Sequence, residues 1–469
     1  MPKQRRNKGG AAGEDEFAVG GRSKGGAKKK RGASREVSAD RGSVASEMSH
    51  LSLDNEDLDS NGTTAAVGDL EGDVVGEDSE AVIERKLNEA LDNYSHKNVS
   101  VRIAALKILA GVLSRYYAPG IVGKRLFTVA DVAERALKRG PGEEGILGAR
   151  LAALMVAQLG SAVSEHYAPL RTLLLAHLAN TAAPALFRAT MAEALVFCSL
   201  LAEEDVEEMQ KTLAALRAVW ATFRPGVSTG SGNEAANPQL FAAALSGWAQ
   251  TLTLLPPRMR LSLLATDLPR ICAYLDSNQM DIRVEAGEAL ALLYEIARDV
   301  QDNFRPANHQ QTVETLDMLA TDPERHRGKK DRRLQKSTFR QISAAVMDEE
   351  VPEWKVKFDS ETLVIDSYQN KVFYESLCSL LRGGVHFQLR WNVMLRGCFG
   401  LGPPSSSALS KADAKLSKSE LQAYHAMANK FRKQTPARHF PLGIDALLCL
   451  PFTAFPEDPV SAAPVPLAH

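Results

Sequence analysis

The chain has 469 residues, with 56 Lys and Arg against 57 Asp and Glu, for a formal net charge of -1. Hydrophobic residues make up 45% and charged residues 24%, which is ordinary for a soluble protein long enough to hold a large core or a repeat array with tails. Aromatic residues are sparse, at 6%, while Ala and Leu dominate the centre, a balance that favours packed helices over a β-sandwich. The five cysteines, Cys198, Cys272, Cys378, Cys398 and Cys449, show neither a CxxC pair nor metal-type spacing, so they read as core thiols in a reducing compartment. The N-terminus lacks an apolar core of the secretory kind, and Arg150, Arg188 and Glu193 interrupt the longest apolar runs. Neither a signal peptide nor a bilayer span is expected, and the chain is expected in the cytoplasm, the nucleus or both.

Residues 1–79 read as a disordered tail of two charges. Its first part carries Lys3, Arg5, Arg6, Lys8 and the run Lys28, Lys29, Lys30, Arg31; its second is acidic, from Asp54 to Glu80. Such a composition buries too little apolar surface to offset the entropy of ordering. The Lys28–Arg31 run fits a nuclear localisation signal or a loose RNA-binding arm.

From residue 80 to 320 the apolar period is helical. Val82, Leu87 and Leu91 form one stripe, and after the polar break His96-Lys97-Asn98 a second runs through Val101, Ala105, Leu106, Leu109, Val112 and Leu113. That helical hairpin recurs. SVRIAALKIL at Ser100 resembles DIRVEAGEAL at Asp281, with Ser100 and Asp281 in the position of N-caps. Arg102, Arg150, Arg188 and Arg283 return at intervals near one or two lengths of an armadillo or HEAT repeat, about 40–47 residues. Asn237-Pro238 opens a further unit, with Asn as cap and Pro at the first helical position. The expected fold is all-α: an armadillo/HEAT-like helical repeat array with a small C-terminal α+β unit and disordered tails. An irregular helical bundle is the alternative. Within the array, the nominal GxGxxA beginning at Gly230 follows no strand and reads as a linker.

Residues 321–345 form a basic segment leading into a helix marked by Phe339, Ile342 and Val346. Residues 346–402 form the small C-terminal unit. In it Trp354, Val356 and Phe358 alternate with lysines, and Leu363 and Ile365 alternate across Asp359-Ser360, which predicts a β-hairpin. Two further helices are broken at Gly383-Gly384 and end at Gly400 and Gly402. A linker over 403–417, a basic helix over 418–434 and an irregular tail over 435–469 complete the chain.

No catalytic constellation is present: there is no P-loop, HExxH, GxSxG or paired-Cys pattern, and an enzyme is not expected. His166, His177 and His386 fall on or beside apolar helices as structural histidines. Glu203-Glu204-Asp205 and Asp348-Glu349-Glu350 read as helix-terminus charge. No cofactor, metal or small-molecule substrate is expected.

The chemistry concentrates in RHRGKKDRRLQKSTFR, which carries Arg325, Arg327, Lys329, Lys330, Arg332, Arg333, Lys336 and Arg340 against a single acid, Asp331. In a chain of balanced charge, such a cluster fits phosphate neutralisation with release of counterions; a solvated basic face is the alternative. Lys430, Arg432 and Lys433 form a second cationic group.

The segments SVRIAALKILAGVLSRYY, RGKKDRRLQKSTFR and VFYESLCSLLRGGVHFQLRWNVMLRGCFGLG resemble the interferon-related developmental regulator family, and the likeness covers roughly Val82 to Lys433. The resemblance implies an armadillo-like array with two roles. One is binding to idle ribosomes, where the body covers tRNA sites and a basic C-terminal helix enters the mRNA channel. The other is nuclear transcriptional co-regulation through protein partners. The implied partners are therefore rRNA phosphates of the ribosome, or nuclear regulatory proteins held as on a scaffold. The chain departs from the family pattern where Gln434-Thr435-Pro436 closes the basic helix soon after Lys433.

Overall fold

The computed structural model describes residues 77–224, 237–321, 329–358 and 361–404. Helices come in antiparallel pairs: α1 (Glu77–Tyr94) with α2 (Val99–Arg115), α4 (Leu126–Lys138) with α5 (Glu143–Leu159), and α6 (Ser164–Ala179) with α7 (Ala185–Ala202). The order continues with α8 (Val206–Trp220) on α9 (Pro238–Leu252), α10 (Pro257–Ala273) on α11 (Met280–Arg298), and α12 (His309–Thr321) on α13 (Lys329–Met347). A short α3 (Pro119–Lys124) links the first two pairs. The second helix of each pair packs on the second helix of the next, so α2, α5, α7, α9, α11 and α13 form a continuous inner row. This is the repeat array expected from the sequence.

The recurring arginine has a structural job. Arg102, Arg188 and Arg283 each stand four residues after the N-cap of an inner-row helix and are buried, at 7%, 8% and 3% exposure. Each reaches back to carbonyls at the preceding corner: Arg102 Nη1 donates to Lys97 O at 2.8 Å, Arg188 Nε to Leu178 O at 2.9 Å, and Arg283 Nη1 to Ser277 O at 2.5 Å. The guanidinium satisfies carbonyls that the corner leaves without helical partners. Arg150 stands a turn deeper, eight residues after the N-cap Gly142, and donates instead to Leu380 O of the C-terminal segment at 2.9 Å. It is not the repeat arginine.

Two expected caps move. Asn98, not Ser100, caps α2, its side chain accepting from Ser100 N at 2.9 Å. Helix α11 starts after Gln279, so Asp281 lies inside the first turn. The Asn237-Pro238 start forms as expected, with the Asn237 side chain accepting from Gln239 N and Leu240 N.

The stretches 143–179 and 185–202 are apolar and long enough by composition to cross a bilayer, contrary to the sequence reading. The most apolar 18-residue windows in them are 72% and 83% buried inside the protein, where α5 and α7 lie mid-row with neighbours on both sides.

The hairpin pairs β1 (Trp354–Phe358) with β2 (Glu361–Ile365), placing Trp354 opposite Ile365 and Val356 opposite Leu363. After it come α14 (Tyr368–Leu381), α15 (Val385–Trp391) and α16 (Val393–Cys398), three helices where two were expected, because Asn392 caps a new start. This segment shares the hydrophobic core of the array. Helix α14 lies across the inner row, touching α2, α5, α7, α9 and α11. At its end Gly384 passes so close to α2 that a Cβ there would sit 2.2 Å from Ser114 O.

Candidate nucleic-acid interface

Helix α13 forms because its sequence is amphipathic: Gln335, Phe339, Ile342, Ser343 and Val346 are buried, whereas Arg333 and Arg340 are exposed and Lys336 is half-buried. Helix α11 supplies the complementary surface. A Cβ at Gly287 would meet Ile342 Cδ1 at 2.9 Å and Phe339 Cε1 at 3.0 Å, so glycine permits the close approach. Gln335 Oε1 accepts from Arg283 Nη2 at 3.3 Å, and Ser343 Oγ donates to Asp317 Oδ1 of α12 at 2.8 Å. At the C-terminal end Arg298 of α11 donates to Ala345 O at 2.7 Å and to Val346 O. The helix is therefore held along its whole inner face.

On the outer face, Arg333 and Arg340 form no ion pair with another described residue, and Lys336 Nζ makes a long contact of 3.4 Å to Thr321 O. Arg333, Lys336 and Arg340 recur at helical spacing on one side. Lys329, Lys330 and Arg332 belong to the first turn of the same helix. The basic run is thus itself helical from Lys329, rather than a lead into a later helix. Arg325 and Arg327 lie outside the described residues, as do Lys430, Arg432 and Lys433, the Lys28–Arg31 run and the loop at Gly230.

Comparison with known proteins places the basic helix within a recognised family. The Interferon-related developmental regulator (IFRD) family matches residues 45–347, and the Interferon-related protein conserved region matches residues 392–439. The chain belongs to this family. It is 35% identical over 376 residues to interferon-related developmental regulator 2 of Mus musculus, covering 79% of this chain and 85% of that protein. It is 31% identical over 360 residues to regulator 1 of Mus musculus, with 76% and 80% covered. For regulator 1 of Homo sapiens the identity is 29% over 360 residues, with 76% and 79% covered. These relatives are named as regulators rather than as enzymes.

A second polar region, not foreseen from the sequence, lies between α14 and the inner row of this family member. Lys371 Nζ sits 3.0 Å from Glu288 Oε2 and 2.6 Å from Glu375 Oε1. Burial pushes the Glu285 carboxyl up to about 8, with the neighbouring Glu288 and Glu375 adding to the effect. Glu295 accepts from Tyr368 N at 2.8 Å and Gln369 N at 3.1 Å at the start of α14, yet burial still raises it to about 7. Beside the network a cleft of about 300 Å³ opens between Arg150, Glu193, Gln250, Glu285, Ser379 and Arg382. Burial and the adjacent Arg382 lower Arg150 to about 10. The sequence signal was present as charges at buried helical phases, but Lys371 and Glu288 stand 83 residues apart and Glu295 stands 73 from Tyr368.

Of the sequence readings of isolated charges, those of His177 and Glu203-Glu204-Asp205 hold locally, whereas His386 is exposed. His177 Nε2 bonds Leu137 O at 2.9 Å, and Glu203 Oε1 accepts from Glu204 N and Asp205 N while Asp205 caps α8. Among the described residues, no cluster of three or more His, Cys, Asp and Glu could hold a metal ion.

Proposed function

We propose that this chain is a non-enzymatic ribosome-binding factor that occupies tRNA and mRNA sites of idle ribosomes and so represses translation. The observation that carries the reading is the outer face of α13, where Arg333 and Arg340 stand exposed without a carboxylate partner among the described residues. Cations already paired with the protein's own acids would have to break those pairs before meeting phosphate; these do not. The rigid seat of α13 on α11 supports it further, because a docked helix loses little entropy when it meets a polyanion. The resemblance to the interferon-related developmental regulators implies the ribosome as the polyanion, and the array offers shape. Lys430, Arg432 and Lys433 would extend the contact along the message path.

A nuclear scaffold that holds a partner peptide along the inner row is the other reading. Helix α14 already lies along that row, which counts against an open peptide groove.

Co-sedimentation with ribosomes over a salt series tests the proposal. Binding should weaken steeply with salt, and replacing Arg333, Lys336 and Arg340 by Gln should lower the log–log salt slope by about 2–3, since each lost phosphate contact removes about 0.7–0.9. The far-UV spectrum should not change. No ribosome-bound fraction at low salt would refute the reading.

A further inference from the structure

At the opposite end of the inner row from α13, the turn between α1 and α2 faces the end of α4 across a pocket of about 380 Å³. Its wall is made by Tyr94, His96, Lys97, Arg102, Arg135 and Arg139. Some of these charges are already matched. Arg102 forms a two-pronged pair with Glu144, at 2.7 Å and 3.0 Å, and Arg135 pairs with Asp131 at 2.9 Å. Lys97 and Arg139 have no such partner among the described residues, which leaves two uncompensated positive charges. His96 Nδ1 accepts from Asn98 N at 3.1 Å, so its other ring nitrogen carries the proton and can donate.

Tyr94 supplies the decisive observation. It is 2% exposed and its hydroxyl has no hydrogen-bond partner among the described residues. A buried hydroxyl left alone costs about 1–3 kcal/mol, so native proteins rarely keep one without a use. Arg135 lies over the ring, 5.2 Å from its centre, and holds it in place. The phenol is pushed up by burial and by Glu144, with Arg135, Arg139 and Arg102 acting the other way.

We propose that this pocket is a phosphate-binding site, in which Lys97, Arg139, the His96 ring N–H and the Tyr94 hydroxyl close around the oxygens of one phosphate group. Two free positive charges match a phosphate dianion, and N–H and O–H donors match its acceptor oxygens. Alternatives of other chemistry fit worse: a metal cation would meet net positive charge, and an apolar ligand would leave the donors unmet. The phosphate can be a free one or belong to RNA, and only the second source rests on the function proposed above.

Thermal unfolding of the full chain in inorganic phosphate, against chloride at matched ionic strength, reads the site directly. The wild type should gain a higher midpoint in phosphate. Lys97→Gln with Arg139→Gln should abolish the gain. Tyr94→Phe should leave the midpoint in chloride unchanged or higher, because it removes a hydroxyl without a partner, yet reduce the response to phosphate several-fold. The Arg333, Lys336 and Arg340 variant should respond like the wild type, which separates this site from the α13 face. A phosphate response unaltered by both pocket variants, or none in the wild type, overturns the proposal. Anisotropy with a single-stranded RNA then identifies the source. Several-fold weaker RNA binding in Lys97→Gln with Arg139→Gln, reproduced by competition with phosphate, assigns RNA. Unchanged RNA binding, with the phosphate response lost, assigns free phosphate.

Discussion

Lys371 is the side chain on which the docking of α14 turns. It is 8% exposed, it bridges Glu288 of α11 and Glu375 of its own helix, and it lies 5.8 Å from the centre of the Trp354 ring. Burial pushes its ammonium pKa down, but the two carboxylates more than reverse this and hold the cation charged. In Lys371→Met the stem is replaced by apolar volume, and Glu285, Glu288 and Glu375 face one another with no cation among them. Removing one partner from a buried pair costs about 3–5 kcal/mol when the other stays charged. The carboxyls can escape that cost by taking up protons. Burial already holds the carboxyls of Glu285 and Glu375 above the unfolded value near 4.3, so the folded protein holds protons that the unfolded chain releases. Stability therefore falls as pH rises through the window between the two. Glu285 marks its upper end, since even with Lys371 present its carboxyl is pushed up to about 8. Urea unfolding followed by tryptophan fluorescence and far-UV dichroism should show a small loss at about pH 5 and the full loss at about pH 9. Combining Lys371→Met with Glu288→Gln and Glu375→Gln should recover most of it. An equal loss at both pH values, or one under about 1 kcal/mol, would show that the pairs behave as solvated surface contacts and refute the reasoning.

Two further predictions concern the array. Gly111 in α2 has open space where a Cβ would go, so Gly111→Ala should stabilise the protein by about 0.5–1 kcal/mol in chemical denaturation. Gly148 in α5 is the opposite case: a Cβ there would meet Ala136 Cβ at 2.8 Å, Leu137 N at 3.0 Å and Ala133 O at 3.1 Å. Backbone cannot step aside, so Gly148→Ala should lose about 1–3 kcal/mol to overpacking, beyond the gain of about 1 in helix propensity. Arg298→Ala strips the last carbonyls of α13 of their donors and should cost about 1–3 kcal/mol, with faster amide exchange confined to the seam of α11 and α13.

Much of the repeat architecture was legible because it is local. The apolar period sets each helix, and an arginine four residues after the cap marks three of the inner-row starts. That signal misled at Arg150, where the same residue type in a similar Ala-rich context stands a turn deeper and serves a different partner. It also misled at Ser100 and Asp281, since a capping residue is chosen by backbone conformation rather than by identity: Asn98 is extended at φ -76 and ψ 126, whereas Ser100 is already inside the helix. The basic run was visible as composition and the helix after it from the phase of Phe339, Ile342 and Val346, but not that the helix already begins at Lys329. The place of α14 along the inner row was not. Arg150 Nε of α5 donates to Leu380 O of α14 across 230 residues, and nothing in a local window reports such a meeting. The pocket at Tyr94 was hidden for a similar reason, because its two halves come from different repeats.

The course of α14 bears on how the molecule is made and how it bends. Stacked hairpins held by neighbour contacts alone act as a spring, in which small rotations at each joint add up along the stack. Here a single later helix touches five rungs of that stack, from α2 to α11, and ties them with hydrogen bonds and ion pairs. The spring is thereby splinted at one curvature. The splint is also synthesised after every rung it fastens, so a nascent chain carries an unbraced array, with Glu285, Glu288 and Glu295 open to water, until the last quarter of the protein has emerged.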